Sequence, residues 1–537
     1  MLTNIPIIDL FAGPGGLGEG FSRFATAKQP VRHPFKIVLS IEKDPWAHRT
    51  LELRSFYRQF INASIPPEYY QYLRQEISRD TLFSAFPAQA KSARAEALLK
   101  ELGVTDDAEI VSSINAALCT IPSASHRVLI GGPPCQAYSV IGRSRMGDKG
   151  DSNNDKRHFL YLEYLKVICQ VRPSVFVMEN VKGLLSSKVD DSSMFERILR
   201  DLRRPVAALD VTQLQGDGYH IAPDNLGYRI YSLVIDTDEP GNLKPSDYIV
   251  KAERYGIPQA RHRIILIGVR NDIPARPTSL APYGRTVPAS DVLSDLPRLR
   301  SQLSARGKET RDSNENWSHR LRMALGESWI TSGEGAEVLN PLPEDLLRSI
   351  TSTIRGLDPN LSIGSEFVPE RVAPRYKPDW FASPVLGGVC NHTTRSHITQ
   401  DLYRYLFAAC YAKVYGCSPK IRDFPLDLLP AHKNVSKGAE RSGSQDFEDR
   451  FRVQLEDRPS TTVTAHISKD GHYHIHYDPG QCRSLTVREA ARLQTFPDDY
   501  FFEGPRTEQY KQVGNAVPPL LAYQIAESVY SMLEEMQ

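Results

Sequence analysis

The chain has 537 residues, 41% hydrophobic and 24% charged. That is an ordinary globular balance, which excludes a disordered, collagen-like or coiled-coil chain and predicts two to four domains. Lys and Arg number 65 against 64 Asp and Glu, a formal net charge of +1, so any surface for a polyanion has to be local.

Residues 5–12 are a short apolar run. Gly-Pro-Gly-Gly follows at 13–16, and a helical pattern starts at Leu17. The start of the chain has no basic segment, and Asp9 interrupts its apolar run, so it reads as a first core strand and not as a leader. A second strand covers 35–41 and ends at Glu42. Residues 57–120 are rich in Ala, Arg, Glu and Leu, with 88–102 strongly helical in character, and read as a helical insertion. Strand-like runs return at 127–131, 174–178, 228–235 and 263–269, the early ones separated by helices. This alternation predicts an α/β fold, a mostly parallel sheet with helices on both faces.

From about 271 the texture changes to Pro-, Ser- and Arg-rich sequence, and 271–455 reads as a second domain. Core patterning resumes near Thr461. Residues 484–498 read as a helix closed by Phe496-Pro497, and a Gly-Asn turn and Pro-Pro open an amphipathic helix within 513–535. The domains expected are thus 1–270, 271–455, and 456–537 returning to the first. No run approaches 18 apolar residues, so no membrane span is expected. The seven cysteines (119, 135, 169, 390, 410, 417, 482) are scattered and odd in number, which fits a reducing cytosol better than a disulfide framework.

Five local patterns carry chemistry. Gly13, Gly15 and Gly18 follow a strand in G-x-G-x-x-G spacing, and Glu42 closes the next strand. A dinucleotide, S-adenosylmethionine (SAM) or a plain tight turn each explain that loop. Gly131-Gly-Pro-Pro-Cys135 sets a thiol on a rigid loop at the end of a strand, where open α/β sheets bind ligands. Met178-Glu-Asn-Val181 sets a carboxyl group at another strand end, where it can donate a proton. In Gln259-Ala-Arg-His-Arg263 the two arginines, two apart, share one face of an extended chain and can grip a carbonyl, carboxylate or phosphate. Gln512-Val-Gly-Asn515 is a turn whose Asn suits close polar contact.

In this order the five resemble the DNA (cytosine-5) methyltransferase family of bacterial restriction–modification type. The motifs stand as DLFAGPGGLGEGF, IEKD, GGPPCQAYS, MENVKG, YGIPQARHR, RSLTVREAARLQTFPDDY and QVGNAVPP, over about 1–56, 126–270 and 456–537. The resemblance implies a SAM-dependent, Rossmann-like catalytic domain. Its catalytic residues would be Cys135 as nucleophile toward C6, Glu179 acting on N3, and Arg261 and Arg263 at the base's O2 and the thiolate. Phe11, Gly13, Gly15, Gly16, Glu42 and Asn515 would lie around SAM. Pro133, Gln136, Asn180 and Gln259 would shape the pocket for a flipped-out cytosine. The acid that meets the adenine stays open among Asp106, Asp107 and Glu109. Double-stranded DNA is the implied partner, with a cognate restriction endonuclease in functional pairing, and the chain is expected as a cytoplasmic, nucleoid-associated monomer. Within 271–455, the family's recognition domain, 371–441 holds 11 Lys and Arg against 5 Asp and Glu. Tyr376, Trp380, Phe381, Tyr403 and Tyr405 interleave with those charges, a pattern suited to phosphate contact.

A Rossmann dehydrogenase would explain the glycine loop and Glu42 but not the other motifs. An RNA cytosine methyltransferase on the same scaffold and a non-catalytic DNA-binding relative remain as rival readings. The Cys and His residues at 390, 392, 397, 410 and 417 lack paired-Cys zinc spacing. His472, His474 and His476 alternate, as on an exposed hairpin face.

Overall fold

The computed structural model describes residues 2–27, 33–61, 64–134, 160–189, 192–209, 214–215, 218–219, 226–304, 311–331, 342–430 and 448–536. Its centre is an eight-stranded sheet. The strands are β1 (Ile5–Leu10), β2 (Phe35–Glu42), β3 (Ala97–Leu99), β4 (Val128–Gly131), β5 (Val175–Val181), β6 (Tyr228–Tyr231), β7 (Ile249–Lys251) and β8 (His262–Arg270). They lie in the order β3-β2-β1-β4-β5-β8-β6, with β7 also on β8. The pairs from β3 to β5 are all parallel, and β8 is antiparallel to β5, β6 and β7.

β1 is buried along its whole length, because helices cover both faces of the sheet. Ile5 and Ile7 join a core with Phe21 and Ile525, from the helices Gly16–Arg23 and Pro519–Glu534. Ile8 and Leu10 join the opposite core with Ile114, Leu165 and Ile198. The chain leaves β1 toward β2 on one side and returns through β4 on the other. The carboxyl ends of β1 and β4 therefore flank the topological switch point, where sheets of this kind open a crevice.

The sequence expected one helix over 88–102. The helix instead ends at Glu96, and Ala97–Leu99 pairs with Ser40–Glu42 as the sheet's edge strand. Local helix propensity loses there to the backbone bonds of an open sheet edge. The rest of the block is helical: Pro67–Leu73, Arg79–Ala85 and Pro87–Glu96 pack an aromatic cluster in which Phe56 stacks on Phe83 at 4.8 Å.

Residues 271–455 carry short strand pairs and the helices Asn314–Met323, Glu344–Arg355 and Thr399–Tyr415. Around those three helices lies a core of their own. The helix Val487–Leu493 joins this part to the sheet through buried arginines. Arg488 donates to the carbonyls of Cys390, Pro497 and Tyr500. Arg492 pairs with Asp498 and Asp295, and Arg483 forms a bidentate pair with Glu489.

Two surface readings of the sequence are corrected here. His472, His474 and His476 are buried, not exposed, and His476 lies 3.6 Å from Glu489. Tyr376, Phe381, Tyr403 and Tyr405 are core residues and Trp380 is half-buried, so the aromatics of 371–441 are spent on packing. The cations divide: Arg371, Arg375, Lys377, Lys413, Lys420 and Arg422 are exposed, while Arg395 and Arg404 are buried. Alternation in sequence had suggested one mixed surface, but the Thr399–Tyr415 helix buries Tyr403 and Tyr405 together with Arg404 and leaves Lys413 exposed. No described helix is long and apolar enough to cross a membrane.

Candidate active site

Glu179 sits near the end of β5, and Arg263 near the start of the neighbouring β8. Antiparallel register sets Arg263 opposite Val181, two positions from Glu179, on the same face. Arg263 Nε lies 2.9 Å from Glu179 Oε1, and its Nη1 donates to the His262 carbonyl at 2.9 Å. Burial opposes the charge on Arg263, and Glu179 counters that effect.

The end of β4 runs beside this pair. A Cβ on Gly131 would lie 2.6 Å from the Leu10 carbonyl, and one on Gly132 would lie 3.1 Å from Glu179 Oε2. The double glycine thus lets the loop pass between β1 and Glu179. Asn180 is buried; its Nδ2 donates to the Pro133 carbonyl at 3.3 Å, and its Oδ1 accepts from the Val181 N–H at 2.8 Å. It ties the loop to β5. Cys135 and Gln136 follow immediately and lie outside the described residues.

Arg261 and Gln259 are engaged with the C-terminal part. The Arg261 N–H bonds back to the Gln259 carbonyl at 2.9 Å, which bends the chain, and the nearby Arg263 charge adds to the burial that pushes the Arg261 guanidinium down. Arg261 is 2% exposed, and its guanidinium donates to the carbonyls of Val463 at 2.9 Å and Gly514 at 3.3 Å. Gln259 is fully buried. It accepts from the Val463 N–H at 2.8 Å and donates to Gln494 Oε1 at 3.0 Å. Both residues fasten the strand carrying Arg263 to the C-terminal part. Sequence spacing conveys which residues are near in the chain, and it contained no sign of Val463 as their shared partner.

At the other side of the crevice is the glycine loop. Phe11 and Gly13 have left-handed backbone, with φ of 54° and 57°. The Gly13 N–H donates to Glu42 Oε2 at 2.8 Å, while Oε1 accepts from the N–H groups of Lys43 and Asp44. Burial pushes the Glu42 carboxyl up, against these three bonds. A Cβ on Gly13 would meet nothing within 4 Å, so the loop faces open space there. A Cβ on Gly16 would lie 2.3 Å from the Val517 carbonyl, so the loop is pressed against the C-terminal motif. Gly514 packs as tightly on Thr464 and Ala465, and Asn515 is exposed beside it at the end of the helix Arg506–Asn515. The Gly-Asn pair therefore closes a helix, where the sequence had suggested a turn opening one.

Of the three acids left open for adenine, Asp106 caps its helix through the Ala108 N–H, Asp107 pairs with Lys166 and Glu109 with Lys100. Asp9 was not singled out by the sequence reading. It is buried in β1 beside Gly18, and burial first of all, with Glu42 and Glu96 adding, pushes it up to about 8 against the pull of Arg58 and the Gly18 backbone. A charged residue inside an otherwise apolar strand was the signal available.

This sheet, with a glycine loop and an acid–guanidinium pair on either side of its switch point, is that of a Rossmann-like methyltransferase. The model of the C-5 cytosine-specific DNA methylases matches residues 102–204 and 225–531. The type II methyltransferase M.Bpa9945I of Bacillus paralicheniformis is 32% identical over 98% of this chain and 99% of its own length. The DNA (cytosine-5-)-methyltransferase M.ApeKI of Aeropyrum pernix is 26% identical over 76% of this chain and 81% of its own. A crystal structure of a prophage-encoded Escherichia coli protein, described as a DNA modification methyltransferase, shares the fold. Its TM-score is 0.50 at 18% identity, over 99% of this chain and 100% of that one. The chain belongs to the C-5 cytosine-specific DNA methylase family and is a DNA (cytosine-5-)-methyltransferase.

Proposed function

We propose that the chain methylates C5 of a flipped-out cytosine within one specific duplex sequence, as the modification enzyme of a restriction–modification system. The observation that carries this is the Glu179–Arg263 pair, set against Gly132 and Pro133 two residues before Cys135. Position 5 of cytosine is a weak nucleophile. The Cys135 thiolate would add to C6 while Glu179 gives N3 a proton or hydrogen bond, and the electron pair released toward C5 would take the methyl carbon as its bond to the SAM sulfur breaks, with S-adenosylhomocysteine as the leaving group. Loss of the C5 proton then expels the thiolate. Arg263 orients Glu179 and meets the base's O2. Arg261 and Gln259 serve by holding that strand in place.

SAM, the implied cofactor, supplies a sulfonium methyl group. The open face of Gly13, the left-handed turn at Phe11 and the fixed Glu42 suit the approach of a nucleoside to backbone. Phe11, Gly13, Gly15, Gly16, Glu42 and Asn515 would hold it. A cytosine inside a duplex hides C6, so the base leaves the stack at a cost of a few kcal/mol. Residues 271–455 would read the target, with the exposed cations of 371–422 on phosphates. The enzyme would act as a monomer on the cytoplasmic chromosome, in functional pairing with a restriction endonuclease.

Expression in a host without cytosine methylation, followed by bisulfite sequencing, tests the reading. Methylation at one short motif is expected, with Cys135→Ala abolishing it while retaining DNA binding. An unmethylated genome with methylated tRNA would overturn it in favour of RNA.

A further inference from the structure

Tyr500 lies in the C-terminal part, about 485 residues from the glycine loop, yet its hydroxyl donates to the carbonyl of Pro14 in that loop. Its side chain is fully buried. A Cβ on Gly15 would lie 3.0 Å from the Tyr500 Oη and 2.9 Å from Leu51 Cδ1, so the ring forms the floor on which Pro14 and Gly15 rest. The Gly15 backbone is left-handed, with φ of 95°, and its N–H bonds to Ala12 at 2.9 Å. Few contacts inside the loop itself fix the direction of the Pro14 carbonyl. Tyr500 supplies that from outside.

The phenol is in turn held on several sides. Arg488 donates to the Tyr500 carbonyl at 2.7 Å, and the Tyr500 N–H donates to Pro497 at 3.0 Å. The Phe496 ring packs on the phenol at 4.8 Å. The Arg54 guanidinium lies 4.9 Å from the ring centre and forms a bidentate pair with Glu19, in the first turn of the helix that the loop opens. Asp499, next to Tyr500, is 3.4 Å from the same Arg54. The loop's carbonyl and the helix that follows it are thus gripped from one short segment, 497–500.

We propose that Tyr500 is a positioning residue for the cofactor: its hydroxyl sets the orientation of the Pro14 peptide and, through it, the shape of the loop facing SAM. This rests on the assignment of the 13–16 loop to SAM above. Tyr500→Phe keeps the ring and its packing and removes only the hydroxyl. Losing one buried hydrogen bond that acts on the bound state corresponds to a fall in affinity of about 5–10-fold.

The experiment is isothermal titration of SAM into the full chain and its Tyr500→Phe variant, with DNA affinity, turnover at saturating SAM and thermal melting in parallel. The expected result is SAM binding weaker by about 5–10-fold and a matching rise in KM for SAM. DNA affinity without cofactor and kcat at saturation should stay within about twofold. SAM affinity unchanged in the variant would overturn the proposal. So would a parallel loss of DNA affinity and melting temperature, or recovery of the variant only as aggregate, since either makes Tyr500 a general core residue. If the unaltered chain binds no SAM, the cofactor assignment itself falls, and the proposal falls with it.

Discussion

Arg263 Nε stands 2.9 Å from Glu179 Oε1 across two antiparallel strands, although the residues are separated by more than eighty positions. A guanidinium so placed fixes which way the carboxyl group points. Glu179→Gln keeps the shape and removes the acid. Its kcat is expected to fall by about 10²–10⁴-fold, the usual range for a lost general acid. DNA binding measured by filter retention should change little. A variant with near-normal turnover would remove Glu179 from the chemistry.

If the 13–16 loop binds SAM as proposed, the two glycines at 13 and 16 separate cofactor binding from folding. A Cβ at Gly13 enters open space, so Gly13→Ala costs only the left-handed backbone, about 1–2 kcal/mol, but fills the cleft. KM for SAM should rise about tenfold or more, the equivalent of about 1.4 kcal/mol, with a modest loss in melting temperature. A Cβ at Gly16 strikes the Val517 carbonyl at 2.3 Å. Gly16→Ala should therefore cost about 1–3 kcal/mol in stability, seen in denaturant melts. The reverse ranking in the melts would contradict this geometry.

The motifs that carry chemistry were legible because each lies within a few residues of sequence. The glycine loop, Glu42, Glu179 and Arg263 stand at strand ends as the pattern implied. Long-range partners were not legible. Nothing local tells that Arg261 and Gln259 both turn to Val463, or that Ala97–Leu99 leaves a helical run to complete the sheet. The histidines at 472–476 alternate as an exposed strand would, yet the Thr399–Tyr415 helix and the Arg483–Glu489 pair enclose them.

Those histidines make the fold sensitive to acid. Burial pushes His392, His474 and His476 each down to about 4, below the usual 6.5 of an exposed imidazole. The unfolded chain therefore binds protons first as pH falls. Their contribution to stability is complete above about pH 6.5 and is lost as pH falls toward 4. The melting temperature should drop across that window. His476→Gln should flatten the slope.

Asp9 acts in the opposite sense. Its carboxyl, pushed up to about 8 by burial, holds a proton in the fold that the unfolded chain has already released above about pH 4. Its contribution is complete below about pH 4 and is lost as pH rises through 8. Asp9→Asn should melt higher than the unaltered chain at pH 9, by about 2–5 °C, with a smaller advantage at pH 6 and little difference near pH 4. A constant difference across pH would show that Asp9 is already ionised in the fold.

Phe24, just after the first helix, packs on Tyr523 at 5.3 Å and on Tyr530 at 5.4 Å, and Gly20 leaves room for Ala522. An apolar surface at 20–24 is thus matched to one about 500 residues further along the chain. At about 5–20 residues per second, roughly 25–100 s pass before the match exists. Through that interval the nascent chain carries an uncovered patch for chaperones to shield. A chain that stopped short of Tyr523 would carry the glycine loop, Glu179 and Arg263 without the helix that packs on Phe24.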